Sequence, residues 1–566
     1  MDKNERIELS ELLFPNITKT RDYYEELYPA RNLPEGAMVT RFGPSPTGFV
    51  HMGSLFGSFI DSIYARQSNG VFYLRIEDTD QKRSVENGIE GIFQDLESFD
   101  IIPNESTLVG GAYGPYIQSE RAEIYQTYVK DMIAKGQAYP CFMSEEELAN
   151  IREEQEINKV RTGVYGIYAA DRDLSLQEIK DKIAAGEEYV IRLKSPGNPK
   201  NTVELEDLIK GKMKFPESDE DFVLLKKDGI PTYHFAHAID DHLMRTTHVL
   251  RGEEWLSSVP IHILLFKILG FELPQYAHLG LVMKIDEETG QKRKLSKRKD
   301  KEAAVSYYHE QGIPVEAVKL YLMTIGNSNF EEWLNQNPGK DYNEFKFDFK
   351  KMSASGSLFD LEKLINISRN YISRLTAEEV YENALKYTEE FDKEFHDLLV
   401  KYKDYSINMF NIERNQKKPR KDYAKYEEVI KEFFVERSLE IMYDDYNNLL
   451  ITYCNISDAR SEKEKIKRLV KRVFNKDKKD SNFCYVGILD LCSNNDYKNP
   501  YSITGLCQFR RLHRSVIGIS FACKLRLLRG GNRFCFGRCF IRICHVCSCI
   551  FCYQGLDGDC CLFHIQ

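Results

Sequence analysis

The sequence predicts an α/β fold for about its first 300 residues and a largely α-helical region after them, on three observations. "AMVTRF" is a short β-prone run that feeds a Gly/Pro-rich turn, "GPSPTG". "SLFGSFIDSIYARQSNG" follows with apolar residues at helical spacing (Leu55, Phe59, Ile63 and Tyr64) until Asn69-Gly70 stops it. "VFYLRIEDTD" then reads as a buried strand, which completes a β-α-β unit with Glu77 and Asp78 at the strand's carboxyl end, where α/β sheets place ligand groups. Beyond Asp300, amphipathic helical patterns dominate in "AAVSYYHEQGIPVEAVKLYLMTIG", "DLEKLINISRNYISRL" and "YEEVIKEFFVERSLEIMYDDYNNLLITY".

Length and charge narrow the classes. A chain of 566 residues exceeds one compact core and divides by size into about three to five domains. No apolar run reaches the ~18 residues needed to cross a bilayer, and "MDKNERIELS" is too charged to be a secretory leader, so a cytoplasmic protein with no membrane partner is expected. A net charge of -9 excludes a uniformly basic nucleic-acid coat and leaves room for local basic strips.

Two stretches point to phosphate chemistry. Gly43 and Gly48 in "RFGPSPTGFVHMGS" have the spacing of a P-loop, yet Phe49 and Val50 stand where Lys and Ser/Thr would follow. His51 falls at or near the start of the next helix, where free N–H groups favour anions; a lone loop histidine is more often structural or exposed. Further on, "GQKRKLSKRKDK" carries seven Lys or Arg in 12 residues. Such a run is usually a solvated loop, but here it follows an apolar strand-like segment, and its ammonium groups would supply what the first loop lacks.

The cysteines are segregated. Twelve of the 14 lie between Cys484 and Cys561, and from Ser481 onward the chain has no Glu, whereas everything earlier is rich in Glu and Lys. Cys544-x-x-Cys547 and Cys549-x-x-Cys552 are separated by Ser548 alone, too close to wrap one tetrahedral site. Residues 481–566 therefore read as out-of-frame or otherwise non-native sequence.

"HMGS" followed by "KLSKR" resembles the HIGH and KMSKS signatures of class I aminoacyl-tRNA synthetases. The blocks "RFGPSPTGFVHMG", "LRIEDTD", "GPYIQSER", "DFVLLKKDGIPTYHFAHAIDDHLMRTTHVLRGEEWLSS" and "KLSKRK" resemble the glutamyl type in particular, from about Leu33 to about Leu364 and more loosely to about Asp480. The resemblance implies a Rossmann-type catalytic domain in two halves (35–116 and 221–300) after an N-terminal extension (1–34). It further implies an inserted acceptor-end domain (117–220), a stem-contact region (301–375) and an α-helical anticodon-binding domain (376–480). It implies ATP with Mg2+, L-glutamate and tRNA-Glu as partners, a glutamyl-adenylate intermediate and a monomer. Arg41, Ser45, Glu77, Tyr233 and Arg251 would take glutamate; His51, Gly53, Glu254, Trp255, Leu295 and Lys297 would take ATP, with His51 and Lys297 catalytic. The HIGH-like motif is His51, Met52, Gly53 and Ser54; the KMSKS-like one is Lys294, Leu295, Ser296, Lys297 and Arg298, so Ser54 and Arg298 depart from the signatures.

Several lures are set aside. Lys351 to Ser355 mimics KMSxS, but Ala354 replaces the phosphate-contacting lysine and the run is expected to open a helix. His234, His237, Asp241 and His242 resemble a metal cluster without the spacing of one, and a structural role is expected. Cys141 lacks a second cysteine at Met143, so no zinc is expected. "NQKKPRKDYAKY" and "EKEKIKRLVKRVFNKDKK" are candidate phosphate strips, although such runs are more often solvated helical faces. The alternatives are a glutaminyl-type enzyme, a short paralogue acting on a modified tRNA base, which this length opposes, and an inactive tRNA-binding protein.

Overall fold

The computed structural model describes residues 1–46, 48–80, 85, 87–286, 288–296, 298–337, 340–411, 414–419, 421 and 423–433, and four short strands between 518 and 564. Contacts divide the chain into two units, Met1–Ser368 and Arg369–Gln566.

The first unit opens with α1 (Lys3–Leu13) and α2 (Arg21–Leu27), and α1 starts at a capping box between Asp2 and Glu5. Leu9, Leu13, Tyr24 and Tyr28 are buried in the main core, so the N-terminal extension is part of that core. The anticipated β-α-β unit follows as β1 (Val39–Phe42), α3 (Met52–Gln67) and β2 (Val71–Leu74), with β1 and β2 parallel and Arg41 opposite Tyr73. Helix α3 buries Leu55, Phe59, Ile63 and Tyr64, the residues whose spacing predicts it.

The middle of the unit comprises α4 (Gly88–Ser98), α5 (Ala122–Ala134), β3 (Ala138–Cys141), α6 (Glu145–Ile157), α7 (Leu176–Ala184), β4 (Val190–Leu193), β5 (Thr202–Asp207), β6 (Gly211–Pro216) and β7 (Val223–Leu225). Strands β3, β4 and β7 form an antiparallel sheet in that order, and β5 pairs with β6 as a hairpin. Two α/β segments then return to the site: α8 (Tyr233–Leu243) leads to β8 (His248–Gly252), and α9 (Val259–Leu269) leads to β9 (Gln275–Leu279), which pairs parallel with β8. The Thr247 N–H donates to the Val39 carbonyl at 3.1 Å, which links the start of β8 to β1.

Strands β10 (Val282–Ile285) and β11 (Lys292–Lys294) form the hairpin that carries the basic run. Helices α10 (Ser306–Glu310), α11 (Val315–Gly326) and α12 (Phe330–Gln336) precede β12 (Ser357–Leu358), and the division between the units falls within α13 (Leu361–Ile372). The Lys351–Ser355 run corrects an expectation. It opens no helix: it leaves a short 3-10 turn (Phe349–Lys351), buries Met352, and leads to β12, which pairs parallel with β10. Gly356, with a left-handed φ of 83°, packs so closely on Gly280 that a Cβ on Gly280 would meet its backbone nitrogen at 2.3 Å, so neither position has room or conformational freedom for a side chain.

In the second unit α14 (Ala377–Phe391), α15 (Lys393–Lys401), α16 (Lys403–Phe410) and α17 (Tyr426–Phe433) enclose Val380, Leu399 and Val429. Thr376 and Glu379 form a capping box at the start of α14. The four strands of the 481–566 tail, β13 (Gly518–Ser520), β14 (Arg538–Ile543), β15 (Cys549–Gln554) and β16 (Cys560–His564), pair antiparallel in that order. The strip "EKEKIKRLVKRVFNKDKK", Cys544 and Cys547 lie outside the described residues.

Candidate active site

Strand β1 delivers Arg41 to the mouth of a cleft of about 420 Å3. The turn that follows is fastened on three sides: Glu77 N–H donates to the Pro44 carbonyl at 2.9 Å, Val85 N–H to that of Pro46 at 3.0 Å, and Val50 N–H to Asp95 Oδ2 at 2.9 Å. Gly43 has no room for a side chain, since a Cβ would sit 2.3 Å from Glu77 Oε1. His51 is the N-cap of α3: its Nδ1 accepts the Ser54 N–H at 3.1 Å. A neutral ring that accepts at Nδ1 carries its proton on Nε2, which lies 3.1 Å from the Ser54 hydroxyl, so Ser54 holds the ring at both nitrogens on the cleft wall.

Behind the cleft lies a buried charge network. Arg41 Nε contacts Asp241 Oδ2 at 3.3 Å, and Arg75, fully buried, donates to Asp241 Oδ1 at 2.7 Å and to Glu77 Oε1 at 2.8 Å. Asp240 in turn accepts from Arg121 (2.7 Å), Gln118 (2.9 Å) and Tyr125 (2.8 Å). Burial raises the Asp241 carboxyl, but the Arg41 and Arg75 charges outweigh it and hold the group well below the usual carboxylate range. Glu77 goes the other way: burial pushes its carboxyl up despite the neighbouring arginines. The network fixes Arg41 and Glu77 before any substrate arrives.

Across the cleft, α8 starts with Tyr233, which stacks on Trp255 with ring centres 4.2 Å apart. Arg251, on β8, is 7% exposed; its Nε donates to His278 Nε2 and its Nη1 to His262 Nδ1, both at 3.1 Å. His234 and His237 sit in the same cluster, and burial drives each imidazole down to about 4. His242 is separate: it contacts Glu25 at 2.8 Å and stacks on Phe271. Among the described residues no group of three His, Cys, Asp or Glu side chains is arranged to hold a metal.

The β10–β11 hairpin closes the remaining side. Arg293 bridges Asp286 Oδ2 (2.8 Å) and both Asp300 oxygens (2.6 and 2.7 Å), and Ser296 N–H donates to Asp300 Oδ2 at 2.8 Å. Lys294 Nζ reaches Glu254 Oε1 at 2.8 Å, and Leu295 lines the cleft. Lys297 lies outside the described residues.

One cleft thus unites Arg41, Ser45, His51, Met52, Gly53, Ser54, Glu77, Tyr233, Arg251, Glu254, Trp255, Lys294 and Leu295. The model for the catalytic domain of class I tRNA synthetases (E and Q) matches residues 37–366. The chain is 51% identical over 463 residues to a glutamate–tRNA ligase of Acetivibrio thermocellus, spanning 81% of this chain and 83% of that one. It is 52% identical over 431 residues to one of Clostridium perfringens, spanning 75% and 78%. Among solved structures, a glutamate tRNA ligase of Elizabethkingia meningosepticum in complex with its amino acid superposes with a TM-score of 0.60 at 29% identity, over 77% of this chain and 90% of that one. The chain belongs to the class I glutamate–tRNA ligase family.

Within this family member the anticipated residues come together from five separate segments, 41–54, 77, 233, 251–255 and 294–295, while Ser296 and Arg298 follow the hairpin outside the cleft lining. Sequence reading missed Arg75, Asp207, Asp240, His262 and His278. Arg75 carried one signal: it stands two residues before Glu77 in the strand-like run "VFYLRIEDTD", a spacing that puts both on one face of extended chain, although β2 itself ends at Leu74.

Proposed function

We propose that this cleft joins glutamate to ATP and then to tRNA-Glu. The observation that carries the reading is the convergence of two arginines, a buried carboxylate and the N-cap imidazole on one enclosure walled by the basic hairpin. Arg41 and Arg251 suit the two carboxylates of glutamate, Glu77 with Ser45 suits its amino end, and Tyr233 closes the pocket. ATP would lie over Gly53, with its adenosine near Glu254, Trp255 and Leu295 and its phosphates between His51 Nε2 and Lys297. The absence of a side chain at Gly53 leaves room, because a Cβ there would stand 3.1 Å from the His51 ring.

The first step is attack of a glutamate α-carboxylate oxygen on the α-phosphorus, with the bond to pyrophosphate breaking; a ribose hydroxyl of the terminal tRNA adenosine then attacks the acyl carbon and AMP leaves. The chain's residues position the reactants and stabilise charge, and no covalent enzyme intermediate is required. Magnesium would arrive as part of the substrate, Mg-ATP, and would supply neutralisation of the charge on the phosphates. Residues 117–220 would hold the acceptor end, 301–375 the stem and 376–480 the anticodon arm, in a cytoplasmic monomer.

The test is glutamate-dependent pyrophosphate exchange and charging of tRNA-Glu. Lys297→Ala and His51→Ala should each lower the rate about 10²- to 10³-fold, as expected for a preorganised donor. Near-normal exchange by Lys297→Ala would remove that residue from the mechanism.

A further inference from the structure

The two cleft arginines are held in opposite ways. Arg41 is paired with a carboxylate, Asp241, at 3.3 Å. Arg251 is not: among the described residues no carboxylate lies within 4.0 Å of it, and its supports are two imidazoles. A guanidinium can only donate, so His278 Nε2 and His262 Nδ1 must accept, and both rings must be neutral. The tautomers follow. His278 carries its proton on Nδ1 and donates it to Asp207 Oδ2 at 2.6 Å; His262 carries its proton on Nε2 and donates it to His234 Nδ1 at 3.0 Å. Burial lowers both histidines, in keeping with neutral rings. The Arg251 Nη2 is buried with no hydrogen-bond partner, and Arg251 lines the cleft. The Tyr276 ring, 4.8 Å from the guanidinium carbon, adds a weak electrostatic contact that does not cancel its charge.

We propose that His262 and His278 are positioning residues that fix the direction of Arg251 while leaving its positive charge unneutralised for a carboxylate of the substrate. The proposal rests on the reading that Arg251 contacts glutamate. A carboxylate in either place would orient the guanidinium equally well but would already satisfy it, and a second carboxylate would gain less. A buried arginine with a vacant N–H is costly without an anion, so the arriving substrate supplies what the fold withholds.

The decisive comparison is His262→Gln against His262→Glu, which are alike in shape and differ in charge. Steady-state exchange with glutamate and ATP varied separately gives the two KM values, and thermal melting checks folding. His262→Gln keeps a neutral acceptor and should retain most of the glutamate affinity. His262→Glu should raise the glutamate KM about 10- to 100-fold above that of His262→Gln, the scale of one hydrogen bond to a charged group, with the ATP KM unchanged. Equal glutamate KM values for the two variants, when Arg251→Gln itself raises that KM, would overturn the proposal. An unchanged glutamate KM in Arg251→Gln would instead overturn the underlying reading and the proposal with it. Should His262→Glu fail to fold, the His262→Asn and His262→Asp pair decides by the same comparison.

Discussion

At Gly43 and Glu77 a single carbon decides the geometry of the amino-acid pocket. The backbone of Gly43 is not in the left-handed region; its constraint is space, since a Cβ would stand 2.3 Å from Glu77 Oε1. Glu77 cannot retreat freely, because Arg75 holds the same oxygen at 2.8 Å. Gly43→Ala should therefore fold and lower kcat/KM for glutamate by about 10²-fold through displacement of the carboxylate, as small misplacements of a positioned group do. Exchange assays beside a melting curve measure this, and an unaltered glutamate kcat/KM would show that Glu77 does not define the pocket. Residues with recognisable motifs were legible here: His51 caps α3 as its place after the Gly/Pro turn implies. Arg75 and His278 were not, because each acts through a partner far along the chain, Asp241 at a separation of 166 residues and Asp207 at 71. Composition and periodicity are local, and such pairings exist only once the sheet has formed.

The β10–β11 hairpin shows how an element acquires function from charges that look redundant in the sequence. The basic run reads as a mobile loop, yet Arg293 is clamped between Asp286 and Asp300. Hydrogen bonds from the Thr289 backbone and from Arg293 bring the Asp286 carboxyl to about 2, and Arg293 likewise depresses Asp300. Arg293 is therefore a fastener for the turn that presents Leu295 and its neighbours, and Lys294, on Glu254, faces the cleft. Arg293→Ala should raise the ATP KM about tenfold and leave the glutamate KM unchanged, because a loosened phosphate-side loop costs binding on that side alone. Equal effects on both substrates would mean that the hairpin supports the whole cleft. The sequence could show the density of charge but not which residues pair, since the aspartates that make the clamp flank the run without any spacing rule.

At the scale of the whole molecule, the buried histidine cluster makes stability depend on pH in a window set by its depressed titration. His234 and His237 fall from 6.5 to about 4 on folding, chiefly by burial, and His262 also falls well below its ordinary value. The unfolded chain therefore binds more protons than the folded one between these limits, and stability must decline as pH falls from about 6.5 toward about 4. At pH 5.5 the His234 and His237 contributions together come to ~3 kcal/mol, a sizeable part of a typical folding free energy. Asp61, a buried neighbour of Arg41 and Asp241 whose carboxyl is raised well above its ordinary value, acts in the opposite direction as pH falls, so a His234→Gln comparison isolates the histidine part. Asp241 and Asp207 are held below 3.8 and lose their stabilisation only under more acid conditions, and Glu77, raised by burial, offsets part of the loss. Melting temperature measured from pH 7.5 to 5.5 should drop progressively, and His234→Gln, which keeps an amide in place of the ring, should flatten the drop. A melting temperature that holds steady across that interval would mean that these imidazoles titrate normally. The neutral rings around Arg251 would then hold only above about pH 6.5, the ordinary imidazole range, so the same titration also bounds the pH at which that arrangement persists.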